Sequence, residues 1–328
     1  MSRREYAEMR NYAIELLRLL FVYGIVLLHT IRFGGAMQRG LDNVLMTCVV
    51  GFVFISGYFG IKFKLIKLIR LIGAALFCAV AISIINMLIQ GEFSSAAFLS
   101  GVKDCYLERW WFLWAYVALM CFAPIVESAV KPECLQNRQW VRMLPLLSLV
   151  YVWSYSQRVP ILCEFMPRTP GVGTQTFLTL IAIYTSAAIF RSMQLEKYAT
   201  RRNITIVLCI TLPITAVGVA HYDSIPALFQ AAALFCLFKR FKLSDKFSRL
   251  LQLLGPSMFS VYLLHANCVG YFTLRTFNMK LIGNGVPLYC SYFTVAFSVF
   301  VLALAIDSLR RIGLFMGASM WKGIHGRL

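Results

Sequence analysis

Apolar residues fill this chain in long runs, and polar residues gather in short stretches between them. A helix that crosses a bilayer core takes about 20 apolar residues. Runs of that kind predict ten spans, at about 12–31, 41–60, 66–89, 108–126, 141–156, 174–191, 203–220, 223–238, 252–274 and 286–308. The seventh ends at His221-Tyr222-Asp223 and the eighth is short, so the turn between them has to be tight. The fold class read from this pattern is all-α, a polytopic membrane protein of about ten transmembrane helices. The stretches at about 90–107 and 157–173 are the longest loops on their side. The second is rich in Pro and Gly and reads as irregular, suited to a lid.

Composition agrees with the pattern. Of 328 residues, 59% are hydrophobic and 14% charged, with mean hydropathy +0.72, where a soluble domain would carry about a quarter charged residues. The net charge of +18 would point to nucleic acid on a soluble protein. Here the basic residues lie between apolar runs, so a nucleic-acid partner is set aside in favour of membrane lipids. No small-residue cleavage site follows the first run, which therefore reads as a retained span and not a signal peptide.

The basic residues also orient the chain. Alternate connecting segments hold 23 of the 32 lysines and arginines, among them Lys62, Lys64, Lys67 and Arg70, the run from Lys239 to Arg249, and Arg310 with Arg311. The intervening segments hold eight, and Arg18 lies within a span. The acidic residues divide evenly. The positive-inside rule then places both termini in the cytoplasm, which requires an even number of crossings. A single membrane domain over 1–328 is expected, with no soluble extracytoplasmic domain and an amphipathic cytoplasmic tail at 309–328.

Ten cysteines are scattered singly, with no CxxC and no Cys/His pair at metal-ligand spacing, so no metal site is read. Cys105 and Cys163 lie in two outward loops; two thiols is the plain reading and a disulfide the alternative. Trp110, Trp111 and Trp114 open the fourth span at the outer face and read first as an interfacial aromatic belt.

Chemistry concentrates in the first span, Arg18-LLFVYGIVLL-His29. Eleven residues of helix rise roughly 16 Å in about three turns, so both side chains share a face near opposite ends. Ionisable groups in lipid are costly and commonly mark a pathway or a reaction. For Arg18 the structural reading is a pair with Glu15 one turn away, and the functional one is an anion held by the guanidinium fork; the two are compatible. A histidine in a bundle is more often a hydrogen-bonded core residue than a catalyst. His29, His265 and His221 nevertheless all fall in outward halves, and an imidazole suits proton transfer at neutral pH. The run from Lys62 to Arg70 reads either as an anionic-lipid contact or as a landing site for a phosphorylated donor.

These residues resemble a family. Arg18, ten residues and His29, preceded by Ile14-Glu15-Leu16-Leu17, is similar to the first-helix signature of the acyltransferase 3 family of membrane-bound acyltransferases. Phe52-Val53-Phe54-Ile55-Ser56-Gly57-Tyr58 resembles its FFxxSG segment, with Val53 where a second Phe is usual. Trp111-Phe112-Leu113, with Pro124 later in that helix, resembles its WFL helix, and Ser260-Val261-Tyr262-Leu263-Leu264-His265 its S-x-YLxH helix. Asp307 stands where a Glu often precedes a Pro, but no Pro follows, and no role is carried to it.

The resemblance covers the chain in order and spacing. It implies a ten-helix enzyme of the bacterial cytoplasmic membrane that takes acetyl or another short acyl group from cytoplasmic acyl-CoA. The acceptor would be a hydroxyl of a cell-envelope polysaccharide, lipid-linked glycan or related glycoconjugate on the outer side. It carries the family's essential arginine and histidine to Arg18 and His29 and its cytoplasmic basic motif to Arg70 and Lys67. Around these the expected site groups Glu15 and His265 with catalysis, Ser56 and Tyr58 with Arg18 in donor binding, and Trp111, Tyr262 and His221 on the substrate side. His29 would act as general base, or else carry the acyl group covalently. A homodimer is compatible with all of this. The rival classes are a transporter or flippase and a sensor without chemistry. Against the first, no matching pair of Gly/Pro-broken helices is seen; for the second, the Arg–His stripe would be superfluous.

Overall fold

The computed structural model describes residues 11–30, 35–105, 110–130, 172–218, 224–265 and 279–325. Among these residues the protein is helical and contains no strand. The helices are α1 (Tyr12–Thr30), α2 (Gly35–Phe59), α3 (Leu65–Gln90), α4 (Ser95–Asp104), α5 (Trp111–Ala129), α6 (Val172–Ser192), α7 (Arg201–Val217), α8 (Ile225–Phe238), α9 (Asp245–Leu254), α10 (Met258–His265) and α11 (Leu288–His325). Five carry stretches long and apolar enough to cross a membrane: Tyr12–Thr30, Ala36–Phe59, Leu65–Gln90, Trp111–Ala129 and Cys290–Met316. Phe177–Ser192 and Ile225–Phe238 are apolar but shorter. A helix satisfies its own backbone groups, which is why this architecture suits a solvent that offers no hydrogen bonds. The exposed apolar stripe of Phe293, Phe297 and Val301 on the candidate span of α11, at helical spacing, suits contact with lipid.

Three expectations change. The stretch 90–107 is not simply a loop: Ser94 Oγ accepts the Ala97 N–H at 3.0 Å and caps α4, which packs on α3. The ninth span is interrupted near its start. Pro256 lacks an N–H, so the chain passes through a 3₁₀ turn at Gly255–Ser257 between amphipathic α9 and apolar α10. Trp110 is 1% exposed and its indole N–H donates to the Leu263 carbonyl at 3.1 Å, so it is a core residue and not a belt residue; Trp114, half exposed, keeps an interfacial position. The segment after Asp307 continues α11 without a break to His325. The span at 141–156, the Pro/Gly-rich stretch 157–170, His221 and Cys163 lie outside the described residues, while Cys105 is buried.

Two apolar cores lie side by side, and α1 belongs to both. Ile14, Leu17, Phe21 and Ile25, spaced three and four apart, pack into a core with α2, α5, α6 and α8. Val22, Val26 and Leu27 face a second core with α3, α10 and α11. Helix α2 is the other hub, meeting α1, α6, α7 and α8. Its Gly57 lies so close to α6 that an added Cβ would sit 2.4 Å from the Tyr184 carbonyl oxygen. Further along α2, a buried polar chain ties three helices: Thr47 donates to Gln230 at 2.6 Å and Gln230 to Thr215 at 2.7 Å, with Asn43 donating to the Ala216 carbonyl at 3.1 Å. Such bonds pin helices where lipid leaves no hydrophobic drive between them.

Two ion-pair clusters clamp the end of α2. Glu127 of α5 accepts Arg191 at 2.6 Å and the Tyr184 hydroxyl at 2.8 Å; Tyr184 in turn accepts the Ile61 N–H at 2.8 Å, and Arg191 donates to the Tyr58 carbonyl at 3.0 Å. On the other side the Tyr58 hydroxyl donates to Glu196, while Lys239 donates to both Glu196 and Tyr58 at 2.8 Å. Between these clusters the chain turns through Gly60 at φ +74, a left-handed value that suits glycine.

Replacing Gly57 by Ala should force α2 and α6 apart at a cost of about 1–3 kcal/mol. Gly73→Ala on α3, where no atom lies within 4 Å of the added Cβ, should be neutral or slightly stabilising. Thermal unfolding of the two detergent-solubilised variants checks this; equal melting points would contradict the packing. The Glu196 carboxyl lies below its usual range: burial alone would raise it, but the Lys239 and Tyr58 hydrogen bonds outweigh that. The Lys239 ammonium lies above its usual range, burial again opposing and its hydrogen bonds to Glu196 and Tyr58 prevailing. The Glu196 contribution is therefore present above pH about 4.3 and lost as acid protonates it, and the Lys239 contribution is present below pH about 10.4 and lost in base. Lys239→Met should lower stability by under about 1 kcal/mol at neutral pH, a gap that closes below pH about 4; thermal unfolding across pH measures it.

Candidate functional site: two basic cavities and a histidine pair joined by one helix

Helix α1 carries both ends of the site because an apolar helix can pack its two flanks and leave one stripe for polar work. Near its start, Arg18 donates to Glu15 at 2.9 Å; the glutamate side chain is 8% exposed and the arginine 29%. Glu15 is thus a holder, and Arg18 keeps most of its fork available. The guanidinium lies 5.8 Å over the Phe59 ring, a second hold of cation–π type.

Arg18 lines a cavity of about 300 Å³ with Ser56, Phe59, Lys62, Lys67 and Tyr116. Three expected donor-binding residues, Arg18, Ser56 and Lys67, therefore meet. Ser56 donates to the Phe52 carbonyl of its own helix at 3.1 Å, leaving its oxygen as an acceptor. Arg70 lines a neighbouring cavity of about 800 Å³ with Phe259, Ser260 and Arg310, and Lys67 and Leu71 form the wall common to both. The two cavities make one basic end.

Tyr58 does not join them. Its side chain is turned to the opposite side of α2, into the Glu196–Lys239 cluster, so its role is to fasten the helix that presents Ser56. The period of 3.6 explains this: Ser56 and Tyr58 stand two residues apart and cannot share a face. Lys62, from the basic run read as a landing site, lines the first cavity as well; Tyr116 in the first cavity and Arg310 in the second carry no motif that marks them, although Arg310 follows Asp307 by one turn.

At the far end of α1, the His29 ring stacks on His265 of α10, with centroids 4.9 Å apart and planes 20° from parallel. His265 is 5% exposed. Its Nδ1 faces the Tyr262 carbonyl, a contact that is a hydrogen bond only when Nδ1 carries the proton. In that tautomer Nε2 holds a lone pair, and this buried atom has no hydrogen-bond partner among the described residues. Buried polar atoms without a partner are few in native proteins, and a catalytic role is one of the reasons for them. Tyr262 packs against His265 at 5.4 Å and Phe112 at 4.9 Å, and Trp110 anchors the same turn through the Leu263 carbonyl. Trp111 is partly buried against Phe112, on the first core. His29 itself is half-buried.

The arrangement has direction. One helix links a cationic end that suits an anion to an imidazole pair that suits proton transfer. The family model described as an acyltransferase domain matches residues 11–306. No curated protein and no solved structure matches the chain. The motifs, the all-helical membrane architecture and a match over most of the length converge: this chain belongs to the acyltransferase 3 family and is a membrane acyltransferase.

Proposed function

We propose that the protein moves an acetyl or other short acyl group from cytoplasmic acyl-CoA to a hydroxyl of a cell-envelope polysaccharide or glycoconjugate, in the bacterial cytoplasmic membrane. The observation that carries this reading is the polarity of α1, with Arg18 in the smaller basic cavity and His29 in the histidine stack. On an ideal helix the two lie roughly 16 Å apart, comparable to the reach of an extended pantetheine arm. The charge asymmetry of the connecting segments supports ten crossings with both termini cytoplasmic, which would turn the basic cavities inward and the histidines outward.

In this reading Lys67, Arg70 and Arg18 hold the anionic end of the donor, and the thioester is presented near His29. His29 takes the proton from the acceptor hydroxyl as its oxygen bonds to the acyl carbon. The carbon–sulfur bond breaks, the sulfur leaves with the electron pair, and the imidazolium returns a proton to it. The products are an ester and the free thiol. His265 is a positioning residue, fixed by the Tyr262 carbonyl and stacked on the ring that does the work. Closely held reactants supply much of the rate by orientation.

His29→Ala should lower transfer by about 10²–10⁴-fold with the amount of protein and its melting temperature unchanged. Acyl transfer by the purified protein measures it, and mass spectrometry of surface glycans with and without the gene product identifies the acceptor; undiminished transfer in the variant would end this mechanism. Lys67→Gln, or Arg18→Gln combined with Glu15→Gln so that no buried carboxylate is stranded, should instead raise the KM for acyl-CoA by about tenfold, as expected for loss of one charge-assisted contact. Steady-state kinetics separates the two effects, and an unchanged KM in both would remove the donor from these cavities.

A further inference from the structure

The larger cavity holds a charged group that neither the motif nor the orientation rule required. Lys67 and Arg70 reach it from α3, and Arg310 reaches it from α11. Arg310 is 17% exposed and donates through Nε to Asp307 at 2.8 Å, while Asp307 is fully buried at 0%. The hydroxyls of Ser257 and Ser260 flank the same carboxylate. Arg311, the next residue, is spent elsewhere: its Nη1 donates to the Leu253 carbonyl at 2.8 Å and to Ser257 at 3.3 Å. Adjacent arginines therefore divide the labour, one tying α11 to α9 and one facing the cavity.

A carboxylate buried in lipid is costly unless paired and hydrogen-bonded. Asp307 meets that demand in part, Oδ1 accepting from Arg310 Nε at 2.8 Å while Oδ2 has no hydrogen-bond partner among the described residues; the pairing uses only one of the five guanidinium donors, so the rest of the fork is open to the cavity. Three cations against one buried anion leave a surplus of positive charge beside apolar walls such as Leu71, Phe77 and Leu314. Lys67 and Arg70 are exposed and Arg310 is largely covered, so the cluster offers a cationic mouth with one held guanidinium behind it, which suits a compact, multiply charged anion attached to a larger body.

We propose that this cavity is a phosphate site in which Arg310, oriented by Asp307, acts with Lys67 and Arg70. A phosphate of that chemistry comes from the nucleotide end of acyl-CoA or from an anionic lipid headgroup; assigning it to the donor rests on the function proposed above. Arg310 is then a specificity residue for phosphate, and Asp307 a positioning residue.

The test uses the full chain in phosphatidylcholine nanodiscs. Dissociation constants are measured for CoA and for phosphate-free pantetheine. In discs containing phosphatidylglycerol, retained anionic lipid is counted by native mass spectrometry. Arg310→Gln should weaken CoA about tenfold, the scale of one lost charge-assisted contact, and leave pantetheine unchanged. Because that variant strands Asp307 in the core, Asp307→Asn/Arg310→Gln serves as the charge-neutral counterpart and should show the same loss. Asp307→Asn alone should share the selective loss and Asp307→Glu should restore it, whereas a merely structural role would weaken both ligands alike and overturn the positioning role. If CoA binding is unchanged and retained phosphatidylglycerol falls, the phosphate site stands with lipid as its occupant. A folded double variant that matches wild type for CoA and for lipid overturns the site. Wild type that binds no CoA in any disc overturns the donor reading, while the lipid arm still reports on the phosphate site.

Discussion

An arginine inside an apolar helix has to be held, and the pair Arg18–Glu15 is the interaction on which the rest of this structure turns. Glu15 is nearly inaccessible and cannot stand alone; Arg18 offers five donors and gives up few of them to the pair. The cost of desolvating both charges has to be met by precise packing around them. That packing is the reason α1 lies at the junction of two cores and not at the edge of one. Its flanks are filled by Ile14, Leu17, Phe21 and Ile25 on one side and by Val22 and Val26 on the other. The stripe between them is left for Arg18 at one end and His29 at the other.

Comparable logic appears wherever charge enters the bundle. Glu127 with Arg191, Glu196 with Lys239 and Asp307 with Arg310 each pair a carboxylate with a cation. The first two clamp the turn after α2 from opposite sides, so the wall formed by Phe59 to Lys62 is rigid where it meets the Arg18 cavity. A cavity walled by a mobile turn would not hold a ligand in one orientation. The ion pairs therefore serve geometry more than stability, since partly exposed pairs add little.

At the opposite end the holding groups are uncharged. The Tyr262 carbonyl faces His265 Nδ1, Trp110 fastens the Leu263 carbonyl, and the His29 ring lies on the His265 ring. A short helix of eight residues would be marginal by itself. Here it is immobilised by neighbours from α1, α3 and α11, which lets it present one histidine to another with defined geometry.

The helical membrane character, the position of Arg18 and His29 on one face, and the basic run from Lys62 to Arg70 were legible in sequence, because hydropathy, helical period and charge placement are local properties of the chain. The same rules placed His265 near His29 once the spans alternated. What could not be read locally was partnership. Ser56 and Tyr58 belong to one motif, yet one lines a cavity and the other locks a helix, since only the neighbours on each side of α2 decide what each face meets. Trp110 had the sequence signature of an interfacial residue, but the close approach of α10 buried it. Arg310 and Lys67 are far apart in the chain and meet only because α3 and α11 pack around α10. Sequence determined which residues carry charge and which helices carry them; tertiary structure decided which charges share a cavity, because in a bundle the helix faces that touch are selected by packing between distant segments.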